Sequence, residues 1–144
     1  PMVVVPPAMD DLARATVLER LRELLAPCQF GSFTLATADE HDRNIAFTSQ
    51  LAHVVSNAYV KSPTARDHRG FSAGSYRDLT RVARLNAPMW TELFLDNADH
   101  LEHELDVIIE NLAAYRDALA ARDAERLEAL LAEGDRIKRE IEGR

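Results

Sequence analysis

The first 36 residues combine two short apolar segments with one amphipathic segment between them. Met2–Val5 is rich in β-branched residues and is followed by two prolines, a pattern typical of the end of a strand. Asp10 and Asp11 place acidic side chains at the start of a helix, whose leucines recur at helical spacing until Pro27. Gln29–Ala36 predicts a second strand. Two lone strands cannot bury both faces of a sheet, so we expect the remnant of a larger sheet and a chain that is part of a longer protein.

The pattern from residue 37 onwards predicts helices. Thr37 and Glu40 match a capping box, in which the threonine hydroxyl accepts the glutamate N–H and the glutamate reaches back. The helix that begins there is expected to run to about Lys61, before Ser62-Pro63. Its expected apolar face consists of Phe47, Leu51, Val54, Val55 and Ala58.

Two shorter segments follow this helix. Residues 64–74 contain two glycines and predict a loop or a broken helix. Ser75 is expected to cap a helix that runs from Tyr76 to about Leu85. Asn86 begins a turn, and Pro88 suits the first position of the next helix.

The clearest periodicity lies in the last third of the chain. Apolar residues alternate spacings of four and three along one long predicted helix: Phe94, Ala98, Leu101, Leu105, Ile108, Leu112, Tyr115 and Leu119. A repeat of about 3.5 residues indicates packing of helix on helix, and it predicts a homodimer. Residues 120–123 predict a turn before a last helix. We therefore expect a mainly α chain with two parts, residues 1–36 and residues 37–144.

Charge and composition restrict the classes of partner. The 144 residues carry 17 basic and 24 acidic side chains, a net charge of −7. Nucleic-acid binding normally needs a basic surface, so no nucleic-acid partner is expected. No segment approaches the ~20 apolar residues of a membrane-spanning helix, so no membrane partner is expected either. The single cysteine, Cys28, excludes an internal disulfide and fits a reducing compartment, so we expect a cytoplasmic protein and a half-buried thiol.

Motifs for cofactors and metals are sparse. The five glycines form neither G-x-G-x-x-G nor a P-loop, so the chain lacks the usual cradle for a pyrophosphate. His100 and His103 have a spacing that metal ligands use, but they lie off the apolar repeat, and a solvated helix face is the preferred interpretation. Ser49 and His53 share a helix face, either as ordinary polar residues or as the lining of a cleft. A hydrolase is disfavoured, because no third orienting group accompanies them.

Three arginines form the best candidate for ligand binding. Arg77, Arg81 and Arg84 are predicted on neighbouring turns of one short helix, with Asp78 one turn before Arg81. One interpretation is a surface helix with salt bridges. The other is a carboxylate site near a helix start, with Trp90 as an apolar wall, because a guanidinium grips carboxylates with two bonds and keeps its charge.

Four motifs together resemble the prephenate dehydrogenases. They are Glu40-His41-Asp42, Ser49-Gln50-Leu51-Ala52-His53, Gly74–Arg81 and Met89-Trp90, in the order and spacing of that family, and Asn97 also fits. The resemblance covers almost the whole chain. It implies a helical dimerisation and substrate-binding domain, preceded by the tail of a Rossmann-like, dinucleotide-binding domain. It also implies an oxidoreductase of tyrosine biosynthesis that uses NAD, or NADP, to decarboxylate prephenate oxidatively to 4-hydroxyphenylpyruvate.

The resemblance implies roles for individual side chains. Ser49 and His53 would face the substrate, Arg81 would bind a carboxylate of prephenate, and Asp78 would orient that arginine. The residues that would close the pocket, in part from the partner subunit, are Gly74, Met89 and Trp90.

The sequence departs from the family pattern at two positions. Gln50 stands where many members have His, and Ala52 stands where many have Pro, so the resemblance implies no role for Gln50. The family's glycine fingerprint and its catalytic histidine are not among these residues. We therefore expect no catalytic residue here, and no hydride transfer by this chain alone.

Other classes of function remain open. One is a stand-alone helical interaction module that pairs through the apolar repeat and binds no metabolite. Another is a small helical mutase acting on chorismate, which would also need arginines for a dicarboxylate and would turn over its substrate unaided. Within the dehydrogenase interpretation, no residue separates prephenate from arogenate as substrate.

Overall fold

The computed structural model describes residues 2–68, 70–71 and 73–143, which fold as two compact units. The first unit ends at Leu101 and the second begins at Glu102. The strands and helices are β1 (Met2–Val4), α1 (Asp11–Leu25), β2 (Phe33–Leu35), α2 (Ala38–Ile45), α3 (Ala52–Tyr59), α4 (Gly74–Thr80), α5 (Ala87–Asp96), α6 (Ala98–Ala121) and α7 (Ala124–Glu142). This confirms the mainly α fold class with a short β-α-β start, whereas the predicted division after residue 36 stays a prediction.

The β-α-β segment has the predicted order but a shorter second strand. β1 and β2 pair in parallel, with Met2 opposite Phe33. The Asp10 carboxylate caps α1 by accepting the N–H of Ala13 at 2.8 Å. After a 3₁₀ turn, Gln29 adopts a left-handed backbone with φ 53°, which postpones the strand to Phe33. The turn also leaves the thiol of Cys28 exposed, so its predicted half-buried state is wrong.

The helix that begins after Thr37 is present, and its capping box is complete. The Thr37 hydroxyl accepts the N–H of Glu40 at 3.2 Å, and the Thr37 N–H donates to the Glu40 carboxylate at 2.8 Å. These bonds satisfy backbone donors that a helix start leaves without partners. They fix the direction in which the chain enters the helical part.

The capping box makes stability depend on pH. Hydrogen bonds from the Thr37 N–H, and then from its hydroxyl, lower the pKa of the Glu40 carboxyl because they favour its charged form. A group with a lowered pKa in the folded state adds stability above its unfolded-state pKa, and this contribution is lost as the pH falls through the folded-state pKa. We expect Glu40→Gln to lose less stability on acidification than the parent chain, as measured by urea unfolding at neutral and acidic pH.

The control for this prediction is Glu92→Gln, which removes an exposed carboxylate from the middle of α5. This variant should keep the pH dependence of the parent chain. Identical pH dependence in Glu40→Gln and the parent chain would show that the capping box makes no charge-dependent contribution.

A π-helical turn over Ala46–Leu51 separates α2 from α3. Such a turn takes in one more residue than an α-helical turn, so it rotates the residues that follow it about the helix axis. Phe47 is consequently 59% exposed, and its predicted place in the apolar face is wrong. Gln50 is buried instead, with 5% of its surface exposed, next to the buried Leu51.

The helix after residue 73 differs from the prediction at both ends. α4 begins at Gly74, and no side chain caps it, so the predicted Ser75 cap is wrong. α4 ends at Thr80, whose hydroxyl donates to the carbonyl of Tyr76 at 2.8 Å. The predicted loop over 64–74 contains positions 69 and 72, which lie outside the described residues.

The segment after α4 is not helical, although the sequence predicts a helix to about Leu85. The side-chain amide of Asn57 on α3 donates to the carbonyl of Ala83 at 3.1 Å, which gives that carbonyl a partner outside a helix. Arg84 therefore lies beyond the end of α4. The prediction that three arginines share one helix is wrong.

The predicted long helix from Phe94 to Leu119 is two helices. α5 follows the cap residue Asn86 and ends at Asp96, and Asn97 leaves the helical region with φ −124° and ψ 34°. The Asn97 side chain donates at 2.8 Å to the carbonyl of Asp42 and at 2.8 Å to the side-chain oxygen of Gln50. These bonds hold Asn97 away from helical geometry, so Phe94 does not continue the repeat of α6.

The second unit contains most of α6 and all of α7, joined at the predicted turn. Arg122 adopts a left-handed backbone with φ 56°, and the Asp123 side chain caps α7. The Tyr115 hydroxyl donates to the carbonyl of Leu130 at 3.1 Å, which links the two helices. Among the residues of the predicted repeat, Leu112 and Leu119 are each 59% exposed. Within the described ranges, no helix is long and apolar enough to cross a membrane.

Candidate functional site

The imidazole of His53 stacks on the indole of Trp90. Their ring centroids are 4.1 Å apart and the ring planes are inclined by 30°. Phe94 continues the aromatic row, with its centroid 5.3 Å from that of Trp90. α3 supplies the histidine and α5 supplies both other rings. The structure thus brings together two residues that the sequence names as site candidates, although they lie 37 positions apart in the sequence.

One hydrogen bond fixes the protonation of the neutral His53 ring. Its Nδ1 lies 2.8 Å from the backbone carbonyl oxygen of Ser49. A carbonyl oxygen can only accept, so Nδ1 carries the proton and Nε2 keeps its lone pair. In the doubly protonated ring, Nε2 would donate to a carboxylate instead. The predicted Ser49–His53 pair is therefore in contact, but through the backbone of Ser49 rather than its hydroxyl.

The α4 segment carries the other charged candidates, and all of them are exposed. Arg81 follows directly after the last helical residue. No ion pair joins Asp78 to Arg81, both of which belong to the described chain. A Cβ built on Gly74 would meet no atom within 4 Å, so the packing of this chain does not require glycine there.

The described bonds of the single chain do not join the two groups of candidates directly. No hydrogen bond or ion pair between described residues joins Gly74, Asp78 or Arg81 to the His53–Trp90 stack. Met89 is exposed, and its N–H is bound by the cap residue Asn86. The geometry therefore supplies an aromatic surface at His53 and Trp90 and an exposed guanidinium at Arg81.

A cavity of about 460 Å³ lies beside α4 and contains none of the predicted site residues. Its aromatic walls include Tyr76, which is 4.3 Å from the ring of His68 and 6.2 Å from the ring of Tyr59, measured between centroids. The His68 ring is held by a contact of 2.6 Å between Nδ1 and the carbonyl of Ala65. This cavity was not visible in the sequence, because its walls come from separate short segments.

Gln50 and Asn97 were also missed as site-forming residues. They form a polar network between the π-helical turn and the break between α5 and α6. The signal for it was an amide side chain next to apolar Leu51, within a helix that otherwise reads as amphipathic. That signal does not identify the partner, which is 47 residues away.

Two further histidines each pair with a carboxylate. His41 Nδ1 is 2.8 Å from the Asp42 carboxylate, and His100 Nε2 is 3.2 Å from the Asp39 carboxylate. Within the part of the chain that is described, no group of three or more His, Cys, Asp and Glu side chains could hold a metal ion.

Comparison with known proteins gives a family and several relatives. Residues 37–133 match the protein family described as "Prephenate dehydrogenase, dimerization domain". The cyclohexadienyl dehydrogenase of Zymomonas mobilis is 34% identical over 103 residues, which are 67% of this chain and 35% of that protein. The prephenate dehydrogenase of Lactococcus lactis is 28% identical over 129 residues, 86% of this chain and 36% of that protein. The chain thus spans about a third of the length of these curated relatives.

A solved structure agrees with this assignment at the level of the fold. The crystal structure of prephenate dehydrogenase from A. aeolicus, in complex with hydroxyphenyl propionate and NAD+, matches with a TM-score of 0.75 at 22% identity. The match covers 96% of this chain and 49% of that chain. Because the family match extends over more than half of the sequence, this chain belongs to the prephenate dehydrogenase family and contains its dimerization domain.

Proposed function

We propose that this chain is the substrate-binding and subunit-pairing part of an NAD-dependent prephenate dehydrogenase, which converts prephenate to 4-hydroxyphenylpyruvate in tyrosine biosynthesis. The observation that carries the proposal is the His53–Trp90 stack. Both residues belong to the family motifs, and together they offer an aromatic surface beside a nitrogen that can accept or donate. A ring-containing dicarboxylate uses both properties.

The proposed roles follow from the chemistry of each side chain. Trp90 supports the substrate ring, and His53 bonds a polar group of the substrate through Nε2. Arg81 binds a carboxylate through charge-assisted hydrogen bonds, and Asp78 orients the guanidinium once the site is assembled. Ser49 offers a hydroxyl from the same helix as His53. The residues that close the pocket, from this subunit or its partner, are Gly74 and Met89.

These residues bind and orient the substrate rather than carry out the oxidation. A bound, correctly oriented substrate avoids much of the entropic barrier to reaction, so positioning alone contributes substantially to rate. We assign no catalytic residue to this chain. The loss of carbon dioxide and of a hydride is proposed to depend on groups outside it.

The β-α-β segment does not fit the pyrophosphate of a dinucleotide. Prolines 6 and 7, in the connection after β1, have no N–H to offer. The start of α1 carries Asp10 as its cap and Asp11 in its first turn, and these carboxylates repel a phosphate. NAD, or NADP, is therefore proposed to bind to residues other than these.

We also propose that the chain forms a homodimer through the exposed face of α6. Ile109, Leu112, Ala113 and Arg116 line a shallow apolar depression of about 330 Å³. Leu119 extends this face by two turns, and it is as exposed as Leu112. The description of the matched family as a dimerization domain supports a second copy of the chain as the occupant.

A cytoplasmic location completes the proposal, together with the absence of a nucleic-acid partner. The exposed thiol of Cys28 suits a compartment that keeps thiols reduced. A net charge of −7 disfavours contact with a phosphate backbone.

Titration calorimetry tests the proposed binding directly. We expect saturable binding of prephenate to this chain, and its loss in Trp90→Leu. Absence of binding by prephenate, arogenate and 4-hydroxyphenylpyruvate would favour the stand-alone interaction module. Binding of arogenate but not prephenate would favour an arogenate-specific dehydrogenase.

An assay with chorismate separates the mutase from the dehydrogenase. The proposed function predicts that chorismate stays unconsumed when it is incubated with the chain. Consumption of chorismate that is abolished by Arg81→Ala would instead assign mutase activity to this helical unit.

A further inference from the structure

A buried amide network connects the two helical segments that carry the aromatic stack. Gln50, which is almost fully buried, donates from Nε2 to the carbonyl oxygen of Leu93 at 2.9 Å. Its Oε1 accepts from Asn97 Nδ2 at 2.8 Å, and the same Asn97 nitrogen donates to the carbonyl of Asp42 at 2.8 Å. Both hydrogens of the Asn97 amide therefore have an acceptor. We call this set of bonds the Gln50–Asn97 cross-link.

The cross-link lies one helical turn from the stack on both segments. Gln50 precedes His53 by three residues, and Leu93 follows Trp90 by three residues. Residues three apart in a helix are neighbours on one face. The bond from Gln50 to Leu93 and the contact from His53 to Trp90 are thus adjacent contacts between the same two segments, so the first constrains the separation and rotation that determine the second.

The hydrogen-bonding groups explain why these residues are polar. α5 ends at Asp96, so the carbonyl of Leu93 is among the last four of its helix. The helix therefore supplies no N–H that could donate to it. An apolar side chain at position 50 would pack against α5 but would leave this carbonyl without a partner, and the Asn97 amide would keep only its bond to Asp42. Directed bonds also fix one relative orientation of the segments, which apolar contacts specify less well.

We propose that Gln50 and Asn97 are positioning residues of the substrate site. They hold His53 in register with Trp90, and they thereby set the direction in which His53 Nε2 meets a ligand, without contacting the ligand themselves. The inference rests on the proposed function, which makes the His53–Trp90 stack a substrate-binding surface. An amide does not titrate, so the cross-link keeps its bonds in either protonation state of His53.

The test uses Trp90 as an optical probe, because it is the single tryptophan of the chain. Gln50→Met keeps a long side chain but removes the two hydrogen bonds that Gln50 forms, and Asn97→Ala removes the two that Asn97 donates. We expect both variants to keep the far-UV circular dichroism of a helical chain and to lose the near-UV signal of the indole. Quenching of Trp90 fluorescence by acrylamide should increase at least twofold, because the ring loses its stacked partner.

Asn57→Ala is the matched control, since it removes a bond of the same kind from the same helix as His53. That amide donates to the carbonyl of Ala83, which lies outside α5. The control should leave the near-UV signal and the quenching unchanged. An unchanged near-UV signal and unchanged quenching in folded Gln50→Met would overturn the inference.

Gln50→His keeps the inference testable when Gln50→Met does not fold. A neutral imidazole has one donor and one acceptor, so this variant can replace both bonds of the amide above neutral pH. We expect it to fold and to keep the stacked indole signal. A folded Gln50→His chain without that signal, together with a retained signal in Asn97→Ala, would contradict the proposed positioning.

Prephenate titration of the same variants separates this inference from the proposed function. When both hold, Gln50→Met binds prephenate about tenfold more weakly than the parent chain, and Asn57→Ala binds it equally well. When the parent chain binds no prephenate, the proposed function fails, while the optical comparison still decides whether the cross-link positions the stack.

Discussion

Replacing Arg81 by alanine is expected to weaken the proposed prephenate binding roughly 10- to 100-fold. A charge-assisted hydrogen bond contributes about 1.5–3 kcal/mol, and 1.4 kcal/mol corresponds to a factor of ten. Arg81 lies exposed at the end of α4 and forms no ion pair with Asp78, so its guanidinium is available to a carboxylate. The apparent affinity for prephenate, from steady-state kinetics or calorimetry, measures this change.

Two further variants separate a specific contact from a general effect of charge. Arg81→Lys keeps the charge but loses the planar fork, so we expect an affinity between those of the parent chain and Arg81→Ala. Arg77→Ala removes an equal charge one turn earlier on α4 and should have little effect. If Arg77→Ala weakened binding as much as Arg81→Ala, the arginines would act through their combined positive charge rather than through a specific contact. The assigned role of Arg81 would then be wrong.

Replacing Leu112 by glutamate is expected to dissociate the proposed homodimer. Burying one leucine side chain stabilises a contact by about 1.5–3 kcal/mol, and a symmetric interface contains the residue twice. The dissociation constant should therefore rise on the order of 10²- to 10⁴-fold, more when the new carboxylates meet apolar surface. Light scattering or sedimentation over a range of protein concentrations measures the shift from dimer to monomer.

Leu131→Glu is the matched control for the interface. Leu131 on α7 is 58% exposed, close to the 59% of Leu112, but it does not line the depression around Leu112. This variant adds the same charge at the same exposure and should remain a dimer. A parent chain that is monomeric at all accessible concentrations, or a Leu112→Glu variant that stays dimeric, would refute the proposed α6 interface.

Local signals in the sequence predicted the elements whose ends depend on neighbouring residues alone. Thr37 and Glu40 form the expected capping box, and Pro88 lies in the first turn of α5, one position later than predicted. The turn before α7 was predicted for the same reason, because Asp123 caps the helix through its own next turn. These features need contacts over three or four residues, which the sequence displays directly.

Elements that depend on distant partners were not predictable in this way. α4 ends at Thr80, and the carbonyl of Ala83 accepts a hydrogen bond from Asn57, which lies 26 residues before Ala83 in the chain. α5 and α6 separate at Asn97 because its amide binds Asp42 on α2 and Gln50 in the π-helical turn. The apolar repeat from Phe94 onwards continues across that break. The spacing of apolar residues therefore could not reveal that the hydrogen bonds of Asn97 interrupt the helix.

Only part of the candidate site was predicted, because the rest also depends on partners that are distant in the sequence. The family motifs named His53 and Trp90, which the structure places in contact. The residue that links their helices, Gln50, was assigned no role, because its acceptor on Leu93 is a backbone group that any sequence would supply. The roles of Arg81 and Asp78 stay predictions, since they concern a ligand.

The π-helical turn over Ala46–Leu51 rotates the side chains of α3 about the helix axis relative to those of α2. Each residue advances an α-helix by about 100°, so the stretches before and after the turn belong on different helical wheels. Deleting any one residue within the turn would merge α2 and α3 into a single phase and swing His53 by about a quarter of a revolution away from Trp90. The spacing between the cap at Thr37 and the imidazole, as much as the identity of the intervening residues, is therefore a condition for the two rings to meet.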